Sequence, residues 1–227
     1  MSHGFRTQPE HRWPVAAAMA LALALYLTGP GVLIWIRVVV AALGLGILAA
    51  LVTLNPHRLN RETRWSRVAG LSLALLLLLA NQVALVQLII DLLYSDSSDA
   101  GRILLAAVQV WVTNVIAYAF VYWEIDRGGP VVRRREPRDA LPLADFRFPQ
   151  DEDHDTVAEV AAGSSKNSGW TPAFIDYLYF SSTNTMAFSP TDTMPLTTRA
   201  KSLMLVEALS GFVILALVIA RAVSVIG

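Results

Sequence analysis

Residues 103–123 read ILLAAVQVWVTNVIAYAFVYW, a run of 21 residues without a charged side chain. A helix needs ~20 predominantly apolar residues to cross the hydrocarbon core of a bilayer. Three other stretches satisfy this requirement with one charge each: residues 14–54, 68–93 and 202–220. These runs predict an integral membrane protein built from apolar helices.

The composition points to the same class. Apolar residues make up 55% of the 227 residues and charged residues only 16%, against ~25% in a typical soluble domain. Cysteine is absent, which excludes disulfides, thiolate nucleophiles, iron–sulfur clusters and cysteine-bound zinc. No two of the four histidines stand four residues apart, which excludes a metalloprotease-type helix. We therefore expect neither a metal site nor a cofactor.

The first apolar stretch, residues 14–54, is too long for one span. A Thr-Gly-Pro-Gly turn signal at 28–31 interrupts it and predicts a helical hairpin of residues 14–28 and 32–54. The first segment also has the pattern of a signal peptide, with two arginines before an Ala/Leu run. A second apolar helix follows at once, however, and this favours a retained span.

The distribution of arginine predicts the topology. Residues 55–67 carry four arginines and one glutamate, residues 94–101 carry two aspartates, and five arginines follow within residues 127–138. Because short basic loops remain in the cytoplasm, the first and third of these segments, and with them the N-terminus, are predicted to be cytoplasmic. The Ala-, Leu- and Arg-rich composition is typical of a bacterial protein, so the predicted location is the bacterial inner (plasma) membrane.

The predicted fold class is an all-α polytopic integral membrane helix bundle, with five spans plus one re-entrant or short sixth membrane helix. Residues 1–124 form a four-helix transmembrane region, and residues 172–227 a pore-loop-like re-entrant segment with the last transmembrane helix. Residues 125–171 are interpreted as a cytoplasmic, partly disordered loop, because they contain too few apolar residues for a core. Their acidic run at 151–155 is interpreted as a solvated tract, and their arginines as topology determinants.

The most informative segment is residues 171–192, which read TPAFIDYLYFSSTNTMAFSPTD. Apolar and aromatic residues give way to five consecutive hydrogen-bonding side chains at 181–185, and the dipeptide Ser189-Pro190 then breaks any helix. The stretch 172–188 has 17 residues, the short limit for a span. The pattern fits either a re-entrant half-helix with a loop or a short sixth span packed inside the bundle.

This segment resembles the pore module of potassium-channel-like proteins, without gaps over residues 176–211. Residues 176–181 (DYLYFS) are similar to the start of a pore helix, and residues 203–211 to an inner helix. An aspartate, a proline and a threonine often follow the filter in that family; here Asp192, Pro195 and Thr197 stand in those places. The resemblance implies a pore helix, a filter loop and an inner helix.

The sequence departs from that family at the filter, where AFSPT at 187–191 replaces Thr-Val-Gly-Tyr-Gly. A ladder of backbone carbonyls needs glycines for its path, and Pro190 removes an N–H and fixes φ. A potassium-selective filter is therefore not expected. The pore-loop candidates are the polar side chains of the segment, namely Thr183, Asn184, Thr185, Ser189, Thr191 and Asp192.

The whole-chain pattern resembles a family of uncharacterised bacterial multi-pass membrane proteins. The residues that carry this resemblance are YWEIDRGGP at 122–130, FRFPQ at 146–150, DYLY at 176–179 and AFSPTDTMPL at 187–196. The resemblance implies membership and no particular activity.

Glu207 is the charged residue well inside the last apolar stretch. A carboxylate at membrane depth is a functional candidate, and a structural pairing with a polar group of residues 181–185 is the equal alternative. Polar residues of the third and fourth apolar stretches, Asn81, Thr113 and Asn114 among them, are interpreted as interhelical clamps rather than as a pathway.

Two functional hypotheses follow. The first is an oligomeric, ion-channel-like or permeation-related protein built around residues 183–192; the second is a non-transporting scaffold that binds a partner through its cytoplasmic loop. A pore predicts that the polar residues 181–185 face a shared wet axis, whereas a scaffold predicts that they pair within one chain. Neither hypothesis involves an enzyme or a nucleic acid, and the expected partners are the lipid bilayer and further copies of the chain.

Overall fold

The structure is a computed structural model that describes residues 10–29, 34–54, 59, 63–94, 100–187 and 192–226. Its long helices are α1 (Trp13–Thr28), α2 (Ile34–Leu54), α3 (Arg64–Tyr94), α4 (Ala100–Ile125) and α9 (Thr198–Ile226). By length and composition, α2, α3, α4 and α9 are able to cross a membrane, and α1 is a shorter apolar helix. The prediction of an all-helical membrane bundle is thus confirmed at this level.

The remaining elements are short. Between α4 and α9 lie α5 (Val132–Arg135), α6 (Ala158–Ala161), α7 (Ser165–Ser168), α8 (Phe174–Ala187) and the strands β1 (Phe146–Arg147) and β2 (Met194–Pro195). Single turns of 3₁₀ helix occur at Asp126–Gly128, Arg138–Ala140, Pro149–Asp151 and Asp153–Asp155. The two strands pair antiparallel, with Phe146 opposite Pro195 and Arg147 opposite Met194.

The predicted hairpin break is confirmed. Helix α1 ends at Thr28, where Gly29 takes an extended conformation with φ −65° and ψ 164°, and α2 begins at Ile34. The Thr28 hydroxyl donates to the Ala24 carbonyl at 3.0 Å and satisfies one of the acceptors left open at the helix end.

Helix α4 is the centre of the bundle and packs against α1, α3, α8 and α9. It runs antiparallel to α1, because the Trp123 indole N–H donates to Glu10 at 3.2 Å while Gln109 donates to Thr28 at 3.3 Å. It also runs antiparallel to α9, since Arg199 Nη2 donates to the Ile125 carbonyl at 3.3 Å. Helices α1, α3, α8 and α9 consequently begin at the end of the bundle where α2 and α4 finish.

We call this end the arginine-rich end, after Arg12, Arg67, Arg127, Arg133 and Arg199. The sides of α2, α3 and α9 that face away from the bundle expose large apolar side chains, such as Leu43 (56%), Leu79 (56%) and Phe212 (55%). Apolar exposure of this extent is typical of a lipid-facing surface.

Buried amides clamp α3 to α4. Asn81 Nδ2 donates to Asn114 Oδ1 at 2.7 Å, and the Thr113 hydroxyl lies 2.7 Å from Asn81 Oδ1. All three side chains are buried. The geometry is that of the interhelical clamp expected from the sequence.

We predict that Asn81→Ala lowers the stability of the bundle by about 1–2 kcal/mol, because it removes both interhelical contacts and leaves the buried Asn114 Oδ1 without its donor. The measurement is the thermal midpoint of the purified protein in mild detergent. Gln87→Ala is the matched control, because Gln87 is half-buried and donates to Asp91 within its own helix at 3.1 Å. Equal midpoints for the two variants would contradict the clamp.

Candidate functional site

Helix α8 has 14 residues and is therefore about 21 Å long, well short of the ~30 Å hydrocarbon core of a bilayer. It begins at the arginine-rich end, where the Phe174 amide donates to Glu10 Oε1 at 2.6 Å. Asp176 accepts from the Ala173 amide at 2.7 Å, so its side chain satisfies a donor in the turn that leads into the helix.

The chain comes back to the same end after α8. The β1–β2 pair holds Met194 and Pro195 beside residues 146–147, and the Leu196 amide donates to the Asp145 carbonyl at 2.8 Å. Asp145 is fully buried and also accepts from the Thr197 hydroxyl and the Arg199 guanidinium. Helices α8 and α9 therefore start side by side at one end of the bundle.

The two helices then run in the same direction in close contact. Asn184 Nδ2 donates to the Met204 carbonyl of α9 at 3.2 Å. About two turns further along α9, a Cβ added to Gly211 would lie 2.8 Å from the Thr185 carbonyl oxygen and 2.7 Å from its Cγ2. Only glycine permits this approach without a shift of α8.

Glu207 lies at the centre of this contact and is fully buried. Its carboxylate accepts from the Tyr122 hydroxyl of α4 at 2.7 Å, from Asn184 Nδ2 at 2.6 Å and from the Thr185 hydroxyl at 3.2 Å. It also contacts the Ser181 hydroxyl, which lies 2.9 Å from the Val115 carbonyl of α4. All four partners are uncharged, and they join α4, α8 and α9 through one side chain.

This arrangement corresponds to the structural alternative for Glu207, in which residues 181–185 pair with it. Of the pore-loop candidates, Asn184 and Thr185 point inward to Glu207. Thr183 is half-buried, and its hydroxyl donates to the Phe180 carbonyl of its own helix at 2.9 Å. Asp192 is exposed. Ser189 and Thr191 lie outside the described residues.

The other side of α8 faces away from the bundle and is largely apolar. Ile175, Tyr179 and Met186 are 63%, 57% and 61% exposed. Ser182 and Thr183 lie on the same side, are half-buried and donate to carbonyls of the preceding turn. Helix α8 therefore has a polar face that fastens it to α9 and an unpaired, mainly apolar face.

A second polar network lies at the arginine-rich end, and sequence reasoning did not anticipate it. Glu10 accepts from both Trp123 and Phe174, and so joins the start of α1 to the end of α4 and the start of α8. Arg133 is 1% exposed, donates to the carbonyls of Trp123 and Pro172 at 2.6 and 3.0 Å, and lies over the ring of Tyr177 at 5.1 Å. Arg133 thus connects the end of α4 to Pro172, which precedes α8, and to Tyr177 within α8.

Asp126 organises the chain just after α4. Its Oδ1 accepts from the amides of Asp145 and Phe146 at 2.7 and 3.3 Å, and its Oδ2 accepts from the Tyr177 hydroxyl at 2.6 Å. The next three residues, Arg127, Gly128 and Gly129, have φ values of 50°, 78° and 96°, the left-handed region that favours glycine. The Gly-Gly pair of the sequence is explained by this turn.

Several charged residues of 125–171 take part in the packing. Asp151 pairs with Arg127 and lies 3.9 Å from Arg138, and the Ser165 hydroxyl donates to Asp151 Oδ1 at 3.1 Å. Burial lowers the pKa of the Arg134 guanidinium, and the Glu10 carboxylate opposes this shift. The partial disorder expected for residues 125–171 stays a prediction.

Comparisons of the chain with protein-family models, with curated proteins and with solved structures gave no match. The two resemblances drawn from the sequence therefore stay predictions. Function is inferred below from the geometry of α8 and from the position of β2.

We predict that Glu207→Leu lowers the stability of the protein by about 2–4 kcal/mol, because it leaves the donors of Tyr122 and Asn184 unsatisfied at membrane depth. Thermal midpoints in mild detergent measure the effect. Glu159→Leu is the control, since Glu159 is exposed on α6. An unchanged midpoint for Glu207→Leu would show that the carboxylate does not hold α8 against α9.

Proposed function

We propose that this protein is a homo-oligomeric, permeation-related protein of the bacterial inner membrane, in which α8 is a re-entrant half-helix. The observation that carries the proposal is that α8 is too short to span and that the chain begins α8 and β2 at the same end of the bundle. A half-helix whose chain comes back to the end where the helix began is the arrangement of a re-entrant segment.

The physics of the bilayer supports the oligomer. Non-helical backbone is tolerated at membrane depth only where protein or a water-filled cavity surrounds it. Beyond Ala187, the chain has to return to Asp192 under this restriction. The apolar face of α8, with Ile175, Tyr179 and Met186, is open to neighbours. Contact between copies through this face would enclose the return segments around a common axis.

The arginines support the orientation. Arg12, Arg67, Arg127 and Arg133 stand at the end where α8 begins, and basic segments favour the cytoplasm. The half-helix then dips into the membrane from the cytoplasmic side, and Asp192 lies near its cytoplasmic mouth. The proposal includes no potassium selectivity, because the Ser-Pro-Thr sequence at 189–191 is unsuited to a carbonyl ladder.

The alternative function is that of a non-transporting scaffold, and one observation favours it. The inward side chains Ser181, Asn184 and Thr185 all have partners within the chain and are buried, as expected if no wet axis faces them. The segment after α4 also exposes apolar side chains, with Leu143 at 89% and Val157 at 56%, which would suit a partner protein. Neither function involves catalysis, a cofactor or a nucleic acid.

Single cysteines in this cysteine-free chain test the re-entrant helix. We expect Cys at Ser66 and Cys at Asp192 to be labelled from the same side of the membrane, and Cys at Tyr94, which is 83% exposed, from the other side. The measurement is labelling by a membrane-impermeant maleimide in intact and opened spheroplasts. Labelling of position 192 together with position 94 would mean that α8 crosses the membrane fully.

Charge neutralisation at Asp192 separates the two functions. If Asp192 stands at the mouth of a pathway, its carboxylate raises the local cation concentration, and Asp192→Asn should lower cation flux in liposomes several-fold with an unchanged thermal midpoint. Asp139→Asn is the control, because Asp139 is also exposed at the arginine-rich end. Absence of flux in the unmodified protein, or a monomeric mass in mild detergent, would leave the scaffold as the function.

A further inference from the structure

A small pocket lies at the arginine-rich end between the starts of α1 and α3 and the end of α4. Its cavity volume is ≈ 50 Å³, and its polar lining includes Arg12, Arg67 and Glu124 above an apolar floor that contains Met19 and Leu73. One water molecule needs ~10–15 Å³ of such space, so the pocket has room for several waters or for a group the size of a phosphate.

Arg12 lines this pocket with a buried donor that has no hydrogen-bond acceptor. It is only 8% exposed, and its Nε has no hydrogen-bond partner. Burial lowers the pKa of the Arg12 guanidinium, and the Glu124 carboxylate opposes this shift. A buried donor without an acceptor costs ~1–3 kcal/mol, more for a charged group. The fold therefore keeps a desolvated guanidinium in a cavity without using its Nε–H.

Arg67 forms another wall of the pocket and is held in place by its surroundings. Its Nη1 lies 3.5 Å from Glu124 Oε2. A Cβ added to Gly129 would lie 1.7 Å from Arg67 Nη1, and a Cβ added to Gly70 would lie 2.6 Å from Glu124 Oε1. Both glycines thus provide the space that these two charged side chains occupy.

The unused donor of Arg12 defines the ligand that would complete the pocket. Among the described lining residues, the guanidinium groups of Arg12 and Arg67 lie with the Glu124 carboxylate. An anion with several acceptor oxygens would supply an acceptor for Arg12 Nε. Guanidinium groups match phosphate oxygens in geometry and charge. The pocket also lies where α1 and α3 begin, the level at which lipid headgroups meet basic pockets between helices.

We propose that Arg12 and Arg67 form a binding site for a phosphate group, carried by an anionic lipid headgroup or present as free phosphate. The site is separate from α8, and it is independent of the function proposed for that helix. A bound phosphodiester would tie α1 to α3 and α4 at the membrane surface, because Arg12 precedes α1, Arg67 lies in α3 and Glu124 in α4.

The test uses the full chain, purified and delipidated in a neutral detergent, with dioctanoyl phosphatidylglycerol as the lipid probe and sodium phosphate as the free anion. Binding is followed through the fluorescence of the tryptophans, one of which, Trp123, lines the pocket, and through the rise of the thermal midpoint. We expect saturable binding, weakened about tenfold or more by Arg12→Gln, which corresponds to a lost charged hydrogen bond.

The control is Arg64→Gln, because Arg64 is exposed at the same end of α3 and the substitution removes the same charge from the surface. The affinity of this variant for the lipid probe should stay within about twofold of that of the unmodified protein. Arg12→Lys retains the charge and lacks the Nε–H, so it should also bind more weakly. Without ligand, Arg12→Gln should keep or raise the thermal midpoint, since it removes a buried Nε–H donor that has no acceptor.

The two sources of phosphate are separated by competition at constant ionic strength. If sodium phosphate displaces the lipid where sodium chloride does not, the site takes free phosphate; if neither displaces it, the lipid is the ligand. Equal weakening by Arg12→Gln and Arg64→Gln would reduce the effect to surface charge and overturn the proposal. Absence of binding of either probe, or a lowered midpoint of ligand-free Arg12→Gln, would do the same.

Discussion

A carboxylate at membrane depth has to be neutralised by a cation or surrounded by hydrogen-bond donors. The hydrogen-bond partners of Glu207 are all uncharged donors. Its partners come from the middle of the chain and from α8, so that a single side chain fixes α4, α8 and α9 in register. The inward polar residues of α8, Ser181, Asn184 and Thr185, have a sufficient explanation in this contact. A half-length helix buries too little surface to hold itself against its neighbours, and the hydrogen bonds to Glu207 supply the attachment that its length does not.

The two polar networks are joined by aromatic packing. Tyr122 donates to Glu207 and also contacts Phe146 with ring centroids 5.0 Å apart, and Phe146 in turn packs edge-on against Phe180 at 5.1 Å. Phe146 belongs to β1, whose position depends on Asp126 and Asp145. The loop at the arginine-rich end is thereby part of the same packed unit as α8.

The long helices were predictable because the hydrocarbon core of a bilayer requires apolar runs of a definite length, and such runs are visible in the sequence. Their ends were less so: α3 begins at Arg64, before the apolar run at 68, because Thr63 and Ser66 exchange backbone-to-side-chain hydrogen bonds of 2.9 and 3.1 Å and cap the helix. The sequence left two alternatives for Glu207, a functional carboxylate or a structural pairing with residues 181–185. The pairing could be considered because Glu207 offers acceptors and residues 181–185 offer donors. Glu10 could not be anticipated, because its partner Phe174 is 164 residues away and only the tertiary fold brings them together.

These constraints bear on how a permeation path could operate. An outward movement of α8 would have to break its bonds to Glu207 in the interior and the contacts of Tyr177 with Asp126 and Arg133 at its base. Each of these groups is buried, so each broken contact would leave a polar group without a partner at a cost of ~1–3 kcal/mol. A movement that opens a path costs less free energy where fewer buried polar contacts have to break. Among the described residues, that place is the apolar outer face of α8, with Ile175, Tyr179 and Met186. Conformational change on the path would therefore be confined to the contacts between copies, while α8 stays fixed to its own bundle.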